Sequence, residues 1–205
     1  MKKQLIRIVI IIVCMKAISI SQIKKSGSDL FERASAKYEH KDYQGAVADC
    51  TKAIKLKPNE AGAYGLRGDA KCGLEDWQGA IADYTMAIKL KPDLVIAYNN
   101  RGNAKERLKD YQGAIADYIK AIKLKPDYAE SYNNRGNAKG RLKDYQSAIA
   151  DYTKAIHLIP NYAEAYTNRG ITYLGLFQKS NALSDFMKAK DLGYNVPQEL
   201  LDMCK

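Results

Sequence analysis

The chain has 205 residues, 46% of them hydrophobic and 27% charged, with 33 Lys and Arg against 23 Asp and Glu for a formal net charge of +10. That much apolar content suffices for a packed core and excludes the low-hydrophobicity, high-charge composition of a disordered chain. Four cysteines with no C-x-x-C pair exclude a disulfide framework and a cysteine metal site.

The first 21 residues, MKKQLIRIVIIIVCMKAISIS, have the plan of a secretory signal. Lys2, Lys3 and Arg7 precede an apolar run from Ile8 to Met15, and Ala17, Ser19 and Ser21 supply small residues for cleavage after Ser19 or Ser21. Three readings follow: a cleaved leader with a periplasmic or secreted product, an uncleaved segment that anchors the chain at a membrane, or a merely apolar N-terminus. Arg7 and Lys16 argue against a spanning helix, which needs about 20 apolar residues. Val13 is too large for the small residue that precedes a lipid-modified cysteine, which argues against that role for Cys14. Without the leader, 29 basic residues face 23 acidic ones. Many of the remaining lysines fall in KLKP strings at predicted helix ends, where a cation favours the negative helix terminus. Dispersed in this way, the charge gives no nucleic-acid patch, and no nucleic-acid partner is expected. Residues 22–26 read as a polar linker.

From there the chain repeats itself. AYNNRGNAKERLKDYQGAIADYIKAIKLKPDY (97–128) and SYNNRGNAKGRLKDYQSAIADYTKAIHLIPNY (131–162) agree at 25 of 32 positions with an offset of 34. The same offset links Pro58, Pro92, Pro126 and Pro160, and also Tyr43, Trp77, Tyr111 and Tyr145. Five repeats tile the chain: 27–60, 61–94, 95–128, 129–162 and 163–196. In the third, the spacing predicts a first helix over about Ile96 to Leu108, a turn at Lys109-Asp110 and a second helix over about Gln112 to Leu124. Ala114, Ile115, Tyr118, Ala121 and Ile122 share one face of that second helix. Pro126 closes the repeat, because the residue before a proline is pushed out of helical geometry. The tail 197–205 begins with Pro197 and carries Leu200, Leu201 and Cys204 at helical spacing, so it is expected to cap the open end of the fifth repeat. Cys50 stands where later repeats have Tyr84, Tyr118, Tyr152 and Phe186, which predicts a small buried hydrophobe.

These residues resemble the tetratricopeptide repeat. An early aromatic, a glycine, an alanine–aromatic–alanine series and a closing proline recur as Tyr98, Gly102, Ala114, Tyr118, Ala121 and Pro126. The second repeat has Tyr64, Gly68, Ala80, Tyr84, Ala87 and Pro92; the fourth has Tyr132, Gly136, Ala148, Tyr152, Ala155 and Pro160. The resemblance implies an all-α fold, an α-solenoid wound as a right-handed superhelix of five helix-turn-helix repeats with a C-terminal capping helix. It also implies a non-enzymatic scaffold that holds an extended peptide or partner protein in a concave groove. The alternative is a structural component of an envelope complex that assembles or self-associates through its repeat ends or convex face.

Two ladders run through the repeats. Arg33, Arg67, Arg101, Arg135 and Arg169 on the first helices are each followed, 16 residues later, by Asp49, Asp83, Asp117, Asp151 and Asp185 on the second helices. This strict pairing predicts structural ion pairs, with the planar arginine fork gripping the carboxylate. The second ladder is Asn100, Asn134 and Asn168, with Asn99, Asn133, Asn103 and Asn137 beside it. In the family this position lines the groove, and a primary amide matches both the N–H and the C=O of an extended chain. The competing reading is a soluble lining copied by duplication. The set of Lys, Asn and Arg with which related co-chaperones grip a C-terminal carboxylate does not map here. Asn99, Glu164 and Asn168 stand where cations would be required, and only Asn103 and Asn134 match. His40 and His157 have no second ligand at metal spacing, and no nucleotide, hydrolase or metalloprotease motif occurs. No catalytic residue, cofactor or metal is expected.

Overall fold

A computed structural model describes residues 26–205. The leader expected at 1–21 lies outside the described residues, as does most of the 22–26 linker; Ser26 is already helical. The chain divides into two compact bodies between Pro92 and Asp93. In the first body are α1 (26–39), α2 (Tyr43–Leu56), α3 (Ala61–Gly73) and α4 (Trp77–Leu90). The second holds α5 (Val95–Arg107), α6 (Tyr111–Leu124), α7 (Ala129–Arg141), α8 (Tyr145–Leu158), α9 (Ala163–Gly175), α10 (Lys179–Asp191) and α11 (Gln198–Asp202). The described residues contain no strand. Consecutive helices pack as antiparallel pairs, one pair per repeat, as in a solenoid of helical hairpins.

The tight turn inside each repeat has one geometry. In the third repeat Lys109 is left-handed, with φ 63°. The Lys109 and Asp110 amides donate back to the Glu106 and Lys105 carbonyls at 2.8 and 2.9 Å, which satisfies the last carbonyls of α5. Asp110 then caps α6, its carboxylate accepting from the Gly113 amide at 2.9 Å. One residue therefore ends a helix and starts the next, and α6 begins at Tyr111, one residue earlier than the spacing alone predicts. Asp42, Asp76 and Asp144 cap α2, α4 and α8 in the same way. At the other end of the repeat Lys125, just before Pro126, is extended (φ −137°, ψ 92°), as a residue preceding proline must be. The fifth repeat, with Tyr194 in the proline place, instead stops at Gly193 (φ 83°).

The core is thin: alanines plus one aromatic ring per repeat. Tyr84, Tyr118, Tyr152 and Phe186 are buried, and the first repeat substitutes a buried Cys50. Each ring lies against a glycine of the preceding helix. A Cβ on Gly102 would stand 2.6 Å from Tyr118 Cε1, and one on Gly136 2.6 Å from Tyr152 Cε1. Tyr118 also packs on Ala138 of the next repeat, so one ring joins the two helices of its own repeat to their neighbour. At the C-terminus Leu200, Leu201 and Cys204, on and just beyond α11, cover the cluster of Ala182, Phe186, Ala189 and Val196, which closes the last repeat. Cys50, Cys72 and Cys204 form no disulfide. Burial raises the Cys50 thiol to about 11, which makes it an inert core residue.

Two glycines in equivalent helices are expected to respond oppositely to alanine. Gly102→Ala should destabilise by about 1–3 kcal/mol, because the Tyr118 ring has no room to retreat. Gly65→Ala meets nothing within 4 Å and should stabilise by about 0.5–1 kcal/mol through helix propensity. Urea unfolding of the two variants against the parent checks both signs.

Candidate functional site

The arginine–aspartate ladder forms five two-pronged pairs. Arg Nε and Nη2 reach the two carboxylate oxygens of Asp49, Asp83, Asp117, Asp151 and Asp185 at 2.6–2.9 Å. All five aspartates are buried. A third member, which the sequence analysis did not single out, completes four of these pairs. Lys37, Lys71, Lys105 and Lys139 lie one helical turn after the arginine and hold the same carboxylate at 3.0, 2.8, 2.7 and 2.7 Å. Their 34-residue spacing was the available signal. The fifth repeat has Tyr173 there, and the Arg169 guanidinium lies 5.9 Å from its ring centroid. Arg67, Arg101, Arg135 and Arg169 also sit 5.5–5.6 Å from the rings of Tyr64, Tyr98, Tyr132 and Tyr166. Arg67 and Arg169 each donate further to a threonine of the preceding repeat, Thr51 at 3.1 Å and Thr153 at 2.9 Å. With forks, rings and threonines engaged in this way, the ladder ties helices together.

The seven asparagines do not form one equivalent row. Asn99 and Asn133 are completely buried, which removes them from the ligand-contacting face expected of them. Asn99 donates to Glu130 at 3.1 Å and accepts from Ser131 at 2.9 Å, joining α5 to α7. Asn133 donates to Glu164 at 3.3 Å and accepts from Asn168 at 3.1 Å, joining α7 to α9. Each sits at the contact between successive first helices, where an unpaired amide would be costly, so its partners are other side chains of the protein. Asn134 donates to Asn103 at 3.0 Å and to Asn99 at 3.3 Å. Asn103 and Asn137 accept the hydroxyls of Tyr118 and Tyr152 at 2.8 and 2.9 Å. Asn100 accepts from Asn99 at 3.4 Å. Asn100, Asn103, Asn134, Asn137 and Asn168 remain partly exposed.

A cleft of about 570 Å³ opens in the second body between α5, α7, α8 and α9. Asn137 and Asn168 line it with Glu106, Arg141, Tyr152 and Thr172, while Tyr145, Ile171, Gly140 and Gly175 supply its less polar wall. Of the predicted asparagines only these two belong to it. Glu106 is half-buried; desolvation raises its carboxyl above the usual range, opposed by the Tyr118 hydroxyl at 3.2 Å and by the charges of Arg141 and Arg107. Burial also raises the Tyr152 hydroxyl, so it stays protonated and can donate. The lining combines donors, acceptors and one charge of each sign in a space of the size that holds a few residues of an extended chain. Glu106, Arg141 and Gly140 were missed by an analysis that looked for what the repeats share. For Glu106 and Gly140 the signal lay in a difference, since 106 and 140 are equivalent positions filled by Glu and Gly; Arg141 matches Arg107 and offered none. Among the described residues there is no His, Cys, Asp and Glu cluster that could hold a metal, and no helix is long and apolar enough to cross a membrane.

The model described as TPR repeat matches residues 68–109 and 107–143, and models described as tetratricopeptide repeat match 129–162 and 163–192. The chain belongs to the tetratricopeptide repeat family. A search of curated proteins found no match. Among solved structures, a crystal structure of MamA is 26% identical over 78% of this chain and 94% of its own, with a TM-score of 0.73. The tetratricopeptide repeat domain of Arabidopsis OM64 is 30% identical over 58% of this chain and 98% of its own, with a TM-score of 0.57. YrrB, described as a TPR protein with an unusual peptide-binding site, is 20% identical over 86% of this chain and 91% of its own, with a TM-score of 0.70; that likeness is one of fold. The family fold is a scaffold for protein interaction.

Two stability tests follow from the ladder. Among the described residues Asp185 pairs with no cation besides Arg169, so Arg169→Met should cost about 3 kcal/mol. Lys139 stays on Asp151 after Arg135→Met, which should cost only about 2 kcal/mol. Chemical denaturation ranks the two. In the first repeat the hydrogen bond from Arg33, assisted by Lys37 and opposed by burial, pulls the Asp49 carboxyl down to about 2. Its folded value lies below the unfolded value of about 3.9, so its stabilisation is complete above about pH 4 and is lost as pH falls through about 2. The deficit of Asp49→Asn against the parent should therefore be largest near neutrality and shrink across that acid window in urea melts.

Proposed function

We propose that this protein is a non-enzymatic interaction scaffold that holds an extended segment of a partner protein in the cleft between α5, α7, α8 and α9. The observation that carries the reading is the cleft's lining, in which Asn137, Asn168, Tyr152 and Thr172 offer hydrogen bonds beside Glu106 and Arg141. Such a surface pairs with the N–H and C=O groups of a strand-like chain and gives affinity with modest sequence preference. The peptide-binding site in YrrB's description and the protein-interaction role of the family support it. In this reading, Asn100, Asn103 and Asn134 border the path of the segment, while Asn99 and Asn133 hold the helices that form it. Retention or export beyond the cytoplasmic membrane, through an uncleaved or cleaved leader, is part of the proposal and rests on residues 1–21.

A second reading, assembly through another surface, is favoured by one observation. Phe177 is 91% exposed at the left-handed position of the fifth repeat's turn (φ 59°), where Lys41, Glu75, Lys109 and Lys143 stand in the other repeats. An apolar ring in that place has no role in the fold, and it would suit contact with a further subunit.

Gly140→Phe separates the two readings. A Cβ at Gly140 meets only the Tyr152 hydroxyl, at 3.8 Å, and the fifth repeat carries Leu174 in the matching position, so the ring should fill the cleft without disturbing the core. Affinity capture with the full chain is expected to lose its partner in this variant, with the melting temperature within a few degrees of the parent. A partner kept by Gly140→Phe and lost by Phe177→Ser would place binding at the turn instead.

A further inference from the structure

Position 106 breaks the repeat. Steps of 34 residues from it reach Tyr38, Cys72, Gly140 and Leu174, so a charge stands there in the third repeat alone. The fold does not need it. Tyr118 already donates to Asn103 at 2.8 Å, closer than its 3.2 Å to Glu106. In the fourth repeat Tyr152 makes the matching bond to Asn137 at 2.9 Å with a glycine in the equivalent place. Glu106 is half-buried in the cleft wall, and none of the ion pairs among the described residues includes Glu106 or Arg141. A partly desolvated carboxylate in an open cleft gains most from a cation brought by the ligand.

We propose that Glu106 forms a subsite for the lysine or arginine side chain of the segment held in the cleft, an inference that rests on the peptide-binding reading above. The cleft suits such a side chain along its length. Tyr145 and Ile171 give apolar surface for the aliphatic stem, and the absence of a side chain at Gly140 leaves room for it. Arg141 lies exposed on the same cleft. Its charge opposes a second cation beside the first, so an isolated basic residue is preferred to a polybasic run.

The test uses the full chain and three blocked pentapeptides, Gly-Ala-X-Ala-Gly with X as lysine, norleucine or glutamate, followed by backbone amide NMR. The lysine peptide is expected to shift the amides of Gly140, Thr172 and Gly175, with norleucine at least five-fold weaker and glutamate weaker still. Glu106→Gln should bring lysine binding down to the norleucine level, with the amide spectrum otherwise unchanged. Equal binding of lysine and norleucine, unaffected by Glu106→Gln, overturns the cation subsite and leaves the peptide cleft standing. Preference for glutamate overturns it in favour of Arg141. Absence of any shift with all three peptides at millimolar concentration overturns the subsite together with the cleft reading.

Discussion

The contact of an aromatic ring with a bare glycine backbone sets the spacing of every helix pair from the second repeat onward. With Tyr84, Tyr118, Tyr152 or Phe186 seated on Gly68, Gly102, Gly136 or Gly170, the two helices approach until the ring touches the main chain. Such close approach favours small residues at the remaining apolar core positions, and most of them are alanines. A thin core supplies little apolar burial per repeat, so each repeat depends on its neighbours for stability. The ring answers this by packing forward as well as backward, as Tyr118 does on Ala138.

Close approach also buries the aspartate that faces the first helix, and the charge must be matched where it is buried. The arginine fork matches its two oxygens, and in four repeats a lysine completes the neutralisation with a further hydrogen bond. An arginine row in a repeat protein suggests anion binding. Here all five guanidiniums grip a carboxylate of their own repeat, four of them also lie on a tyrosine ring, and the arrangement serves helix docking. The buried amides Asn99 and Asn133 are the polar counterpart between repeats: each spans two first helices and fixes their register, because an amide shifted by a turn would lose its partners.

Function, in this reading, lives where the repeats differ. Three copies of nearly one sequence would present the same side chains three times. The bare Gly140 leaves space in the cleft where the fifth repeat has Leu174, and Glu106, which has no charged counterpart in the other repeats, adds a carboxylate beside Arg141, Asn137 and Asn168. The glycine–ring contact recurs in four of the five repeats, whereas the place of Glu106 holds tyrosine, cysteine, glutamate, glycine and leucine in turn.

The sequence by itself determined the repeat length, the helix-turn-helix content, the capping tail and the pairing of each arginine with its aspartate. These follow from local rules: a 34-residue period, helical spacing of small and aromatic residues, and proline and aspartate at the ends. It did not separate Asn99 from Asn100, which are adjacent and chemically identical. Only the packing of α7 against α5 decided that one is sealed inside a buried network and the other left partly exposed, because a helix turns about 100° between neighbours and the tertiary contact covers one of those directions. The cleft was likewise decided by tertiary structure, since its walls come from four helices spread over some seventy residues. No local pattern in the chain records the space left between side chains that meet only once the repeats are stacked.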